Sequence, residues 1–180
     1  MTTFATIEAR PWHAGQMARR LRRAHARATA RIGIDAHSSL ADMLQASPWR
    51  RAWLIDGELA ALGGVAGPLL ADGGFVWLAL AGTTERYPLA IVREARKQLR
   101  ELMVFKRALT TTILPDDPAS QRLAIFLGFH VCQGGAPPFA AESRLSRQTL
   151  ARYIDGTPEC RVALRGGGYA VQLTYHGEHG

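Results

Sequence analysis

The run LTTTILPDDPASQRLAIFLGFHV, Leu109 to Val131, constrains the fold most, because it spells a strand, a capped helix and a second strand with no residues to spare. Leu109 to Leu114 is apolar and β-branched, the composition of a buried strand, and Pro115 ends it. Asp117 stands where it caps a helix whose first residue is Pro118, a position at which a missing N–H costs nothing. Leu123, Phe126 and Leu127 then share one helical face, and Gly128 offers the left-handed conformation in which helices commonly end. Phe129 to Cys132 resumes an extended apolar run.

The other elements follow by the same rules. Ala5 to Trp12 alternates around Ile7 as a first strand does, and an arginine-rich helix follows, with Met17, Leu21, Ala24 and Ala28 as its apolar seam. Ser39, three residues before Asp42, reads as a weak capping box for a short second helix that ends at Pro48. Arg51 to Ile55, the Asp56-Gly57 turn and Glu58 to Val65 form the clearest hairpin, since Asp-Gly adopts the positive φ values that tight hairpins require. Phe75 to Ala81 is an almost wholly apolar strand, and a helix from Pro88 to about Met103 follows the turn Gly82 to Tyr87. Past the break at Gly134 to Pro138, Ser143 to Ile154 has helical character. Cys160 to Leu164 and Tyr169 to Tyr175 read as a hairpin that finishes the sheet.

With 180 residues and 47% hydrophobic content, the chain suits one compact domain, residues 1–180. Within it, 1–133 is the core, 139–157 an insertion and 158–176 the C-terminal β-hairpin. Cys132 and Cys160 read as packed thiols in a reducing compartment, and no Cys or His spacing points to a metal. Neither a secretory leader nor an apolar membrane span is visible, so a cytoplasmic location with no membrane partner is expected. The formal charge of +7 is uneven, with seven arginines and no acid between Arg10 and Arg31. A solvated helix face explains most of them, and the alternative is a site for phosphate-bearing partners such as nucleic acid. His13, His25 and His37 are expected at helix surfaces or in loops, and the tryptophans in the core or at hinges.

The strand, capped helix and strand of Leu109 to Val131 resemble the last conserved motif of the GNAT superfamily of acyl-CoA N-acyltransferases, with Asp117 in the place of an Asn and Gly128-Phe129 matching the terminal pair. More narrowly, Ile7 to Val131 is similar to GNAT-like proteins encoded in phage and prophage morphogenesis regions, a resemblance carried by Ala52 to Gly57, Gly63-Gly64-Val65, Val76 to Ala79 and Ala124 to Phe129. The resemblance implies an α/β (α+β) fold, with a central mixed, mostly antiparallel sheet of six or seven strands and about four helices. It implies transfer of an acetyl group from acetyl-CoA to an amine acceptor. The alternative is a non-catalytic virion-associated or morphogenesis protein, with other virion proteins as partners.

The same resemblance places the acyl donor where two central strands splay apart, with its pyrophosphate on the turn that follows. The cofactor-binding residues are then Leu80, Ala81, Gly82, Thr83, Arg86, Leu89 and Asp117. Arg86 matches the family's turn, but Leu89 and Ile91 occupy positions that are usually small, and Pro88 has no N–H to offer. Ala124 stands where a proton-donating tyrosine is common. The catalytic candidates are therefore Asp116, at the carboxyl end of a central strand, and Tyr87. Asp117 is already explained as a helix cap, and His130 as one position of a strand.

Overall fold

The computed structural model describes residues 2–31, 33, 35–68, 71–113, 117–131, 161–163 and 169–176. Asp116, both cysteines and the 139–157 insertion lie outside these described residues.

The order is β1 (Phe4–Glu8), α1 (Trp12–Arg20), α2 (Arg23–Arg31), α3 (Ala36–Gln45), β2 (Trp49–Ile55), β3 (Glu58–Ala66) and β4 (Gly73–Leu80). A 3-10 turn (Gly82–Arg86) leads to α4 (Pro88–Met103), then β5 (Ala108–Ile113), α5 (Pro118–Phe126), β6 (His130–Val131), β7 (Arg161–Ala163) and β8 (Tyr169–His176). The sheet runs β1-β2-β3-β4-β5-β8-β6, and β7 pairs with β8. Among the described residues only β4 and β5 pair in parallel.

The sheet is mixed and mostly antiparallel, but it has eight strands among the described residues, not six or seven, and five α-helices, not about four. The two short strands β6 and β7, of two and three residues, fall inside the extended runs Phe129 to Cys132 and Cys160 to Leu164, so the difference lies in the family's expected strand count and not in the residues. Nor does the terminal hairpin close the edge of the sheet. β8 enters between β5 and β6, pairing with β5 over six residues from Ala108↔His176 to Ile113↔Val171.

The extra helix comes from the arginine-rich segment, which is not continuous. Leu21 turns extended at φ −48° and ψ 135°, and the Arg22 N–H donates to the Leu80 carbonyl at 2.8 Å. The linker thus lies against the end of β4, and this backbone pairing overrides a helical periodicity that would have run through it. α3 begins earlier than its serine suggested. Asp35 caps it by accepting the Ser38 N–H at 2.8 Å, which leaves Ser39 inside the helix. β1 is shorter than expected because α1 has already started at Trp12.

Other local rules hold. The β2–β3 turn has Asp56 at φ 50° and Gly57 at φ 79°, the signs a tight hairpin turn demands. Helices cover both faces of the sheet, and strand alternation sorts the β4 side chains between them. Trp77 and Ala79 pack with Met17 of α1 and Leu40 and Leu44 of α3. Leu78 and Leu80 pack beneath α4 with Trp53, Ile91 and Ala95. A third cluster joins Val65, Leu99, Leu102, Leu109, Ala124 and Phe129, tying α4, β5 and α5 together.

Candidate functional site

β4 and β5 stay in register for only three pairs, Gly73↔Ala108, Gly74↔Leu109 and Phe75↔Thr110. Beyond them each strand keeps its outer neighbour. β4 remains on β3 as far as Ala61↔Leu80, and β5 remains on β8 as far as Ile113↔Val171. The two inner edges therefore part toward their carboxyl ends, where open α/β sheets place ligands. A cavity of about 390 Å³ occupies this wedge, lined by Leu78 and Leu80 of β4, Thr111 to Ile113 of β5, Gln98 of α4 and Leu123 and Ala124 of α5.

Side chains from three elements meet at one end of the wedge. Arg22 Nη2 donates to both carboxylate oxygens of Asp117, at 3.1 and 2.8 Å, and to Ser120 Oγ at 2.8 Å. Asp117 caps α5 by accepting the Ser120 N–H at 3.1 Å, and it accepts the Ser120 hydroxyl at 2.7 Å. The ion pair is nearly dry, with side-chain exposures of 11% for Arg22 and 5% for Asp117. His25 of α2 completes the group. Its Nε2 is 3.5 Å from Ser120 Oγ and 3.8 Å from Asp117 Oδ2, and its Nδ1 accepts the Leu80 N–H at 3.3 Å.

These contacts fix which way β4 presents its last peptide groups. The Ala81 N–H donates to Ala60 of β3. By strand alternation Leu80 therefore directs its N–H and carbonyl into the wedge, where His25 and Arg22 take them. An imidazole whose Nδ1 accepts a hydrogen bond carries its neutral-form proton on Nε2, toward Ser120 and Asp117.

The two titrating groups settle into one charge state. Burial would push the Asp117 carboxyl up, but hydrogen bonds from Ser120 and the charges of Arg22 and His25 hold it below the usual carboxylate range. Burial, reinforced by the Arg22 charge and opposed by Asp117, lowers His25 from 6.5. Burial lowers His13 too, reinforced by the Arg10 charge, and its Nδ1 accepts the Arg10 N–H at 2.8 Å, a bond that only the neutral ring makes.

Stability is therefore expected to fall on acidification below the ordinary histidine value of 6.5, because the unfolded chain then takes up protons that folded His25 and His13 do not. The part contributed by Asp117 survives to lower pH. It is present above 3.8 and is lost as pH drops through the depressed folded value. Thermal unfolding at a series of pH values checks this. The midpoint should decline between about pH 7 and 5, less steeply in His25→Gln, and a flat profile in the unaltered protein refutes it.

The residues singled out from sequence are scattered around the wedge. Leu80 contributes the backbone just described, whereas Ala81 is fully buried and directs its N–H at β3. Gly82, Thr83 and Arg86 are exposed on the 3-10 turn, and the Thr84 hydroxyl is spent on the Ala81 carbonyl at 2.7 Å. The bulky residues of that turn do not fill the cleft, since Leu89 is 77% exposed and Ile91 points into the core. Tyr87 is half-buried rather than exposed, packs in the apolar cluster beneath α4, and does not line the cavity. Asp117 is at the site as both cap and ion-pair partner.

The sequence carries no signal for Arg22, His25 or Ser120 at this site. Arg22 belongs to the arginine series expected on a solvated face, of which Arg19, Arg20, Arg23 and Arg27 are exposed. Nothing in the local pattern separates Arg22 from them, because its partner lies 95 residues away. Against the expectation of helix-surface or loop positions, His13 is buried and His25 half-buried, and Trp12, expected in the core or at a hinge, is 64% exposed. Among the described residues no group of three His, Cys, Asp or Glu side chains is placed to hold a metal ion. No helix among them is long and apolar enough to cross a membrane.

No protein-family model matches the sequence, and no curated protein sequence matches it. Solved structures do match. The ribosomal-protein-S18-alanine N-acetyltransferase of Escherichia coli is 16% identical with a TM-score of 0.58, over 99% of this chain and 98% of that one. An acetyltransferase from Thermus thermophilus is 16% identical with a TM-score of 0.56, over 97% of each chain. The aminoglycoside acetyltransferase AAC(6')-Ib in complex with coenzyme A is 13% identical with a TM-score of 0.58, over 97% of this chain and 95% of that one. At such identities the likeness is one of fold, the α/β fold of the GNAT acetyltransferases.

Proposed function

We propose that the chain binds acetyl-CoA in the wedge between β4 and β5 and transfers the acetyl group to an amine. The observation that carries this reading is the parting of the two parallel strands after three registered pairs, with a cavity where they part. Leu78, two residues before Leu80, directs its peptide groups into the same space and offers them to the amides of a pantetheine arm. The 3-10 turn and the start of α4 lie at the carboxyl end of β4. There the exposed Gly82, Thr83 and Arg86, and the Leu89 and Ala90 N–H groups that have no acceptor within the helix, suit a pyrophosphate.

Saturable binding of acetyl-CoA in calorimetry, with a matching rise in thermal midpoint, is the expected result. Leu89→Asp localises it. Leu89 is in the first turn of α4 and exposed, so an acid there suits the helix dipole and leaves the fold intact. It also sets a negative charge against the pyrophosphate, and acetyl-CoA affinity should drop at least about tenfold. An unchanged affinity would move the phosphates to another turn.

A second reading is a non-catalytic scaffold of the phage morphogenesis type. It is favoured by the way Arg22 and His25 already occupy the last wedge-facing peptide of β4. The phage and virion connection rests on the sequence resemblance, and the arginine-rich segment is its natural docking surface for virion proteins or nucleic acid. Absence of any acetyl-CoA effect at millimolar concentration would select this reading.

A further inference from the structure

We infer that His25 is the group that accepts the proton of the attacking amine, freed for that role when the pantetheine arm of the acyl donor takes the Leu80 N–H from its Nδ1. This rests on the wedge being an acyl-donor site, and it adds a residue for which the sequence carried no signal.

Geometry singles His25 out among the bases near the wedge. It lines the cavity from the α2 side, and its Nδ1 is aimed at β4. Asp117 also lines the cavity, but its two oxygens already accept from Arg22 and Ser120, so it has little left to offer an amine. Tyr87 does not line it.

The bond that holds Nδ1 at rest is weak. At 3.3 Å, Leu80 N to His25 Nδ1 is at the long end for an N–H donor, and a strand-like partner pairing along the free edge of β4 competes for that N–H directly. Once displaced, Nδ1 has a free lone pair facing the cavity. Nε2 keeps its hydrogen toward Ser120 Oγ and Asp117 Oδ2, at 3.5 and 3.8 Å, contacts of the kind that tighten when a ligand closes a site.

The charges around the ring suit a base that rests neutral and is protonated only during the reaction. Arg22, from the linker, disfavours the imidazolium, and Asp117, from α5, favours it. β4 contributes the Leu80 peptide, and Ser120 a neutral hydroxyl. In the reaction the amine nitrogen bonds to the thioester carbon, the carbon–sulfur bond breaks and the electron pair leaves on the CoA sulfur. The proton shed by nitrogen goes to Nδ1 and from there to the thiolate or to water. The products are an amide and CoA thiol, with no other reactant consumed.

The test uses the full chain, uniformly 15N-labelled. On adding acetyl-CoA, the His25 nitrogen signals, assigned by their loss in His25→Gln, should shift as Nδ1 loses its hydrogen bond, and the Leu80 amide signal should shift with them. With spermidine as the probe amine, His25→Gln should bind acetyl-CoA as tightly as the unaltered protein or more so. It should transfer acetyl about a hundredfold more slowly and lose the acidic limb of the pH–rate profile. If acetyl-CoA binds while the His25 signals stay in place, or His25→Gln keeps the unaltered profile, the role of His25 is overturned and the acyl-donor reading stands. If acetyl-CoA does not bind the unaltered protein at all, both fall together.

Discussion

Arg22→Ala should lower the stability of the folded protein by about 3–5 kcal/mol, the cost of leaving one partner of a buried ion pair alone. The carboxylate of Asp117 would remain in its nearly dry position, 5% exposed, held by Ser120 but without the guanidinium that now contacts both of its oxygens. The pair itself is not a strong source of stability, because removing both charges from water costs much of what their attraction returns. Replacing both partners, as Arg22→Met with Asp117→Leu, should therefore recover most of the loss. What is not recovered should be about 1 kcal/mol for the vanished cap of α5. Urea titration of the two single variants and the double variant gives the three free energies and their coupling. If Arg22→Ala cost less than about 1 kcal/mol, the size expected of an exposed pair, the buried geometry would be refuted.

Leu109→Ala should cost about 2–5 kcal/mol. Leu109 is wholly buried at the middle of the three pairs that join β4 to β5, and it packs with Val65, Leu102 and Phe129. Its side chain also lies over Gly74, where an added Cβ would come within 3.5 Å of Leu109 Cδ2. Shortening it removes apolar surface from the core and leaves a void at the closed end of the wedge. Strands pinned on their outer edges are poorly able to collapse into that void, which places the loss toward the upper part of the range. Acetyl-CoA should still bind, since the open end is untouched. A loss in urea titration below about 1 kcal/mol would mean that β4 and β5 are not joined there.

How much of this was legible depends on how far apart the deciding atoms are in sequence. Asp117 as a cap, Pro118 as the first helical residue and Gly128 at φ 99° are each decided within a few residues, and each was readable. So was the Asp56-Gly57 turn, and so was α4, whose apolar stripe spans four turns. The arginine-rich segment misled for the same reason. Met17, Leu21, Ala24 and Ala28 satisfy helical spacing, yet the Arg22 N–H goes to Leu80, and no local rule weighs a bond to a strand far down the chain. The site divides along the same line. Leu80 and Asp117 could be located from the splayed-strand resemblance, whereas Arg22, His25 and Ser120 became neighbours only after α2, β4 and α5 had converged.

Local sequence was enough for the β2–β3 hairpin, the Asp117 and Gly128 ends of α5 and the strand–helix–strand order around residues 73–131, because backbone sterics, capping and hydrophobic period act over a handful of residues. It took the assembled layers to decide that β8 enters between β5 and β6, that β4 and β5 part after three pairs, and that Arg22 turns inward to meet Asp117. Those outcomes depend on which edges find partners and which charges lose water, and both are properties of the assembled layers.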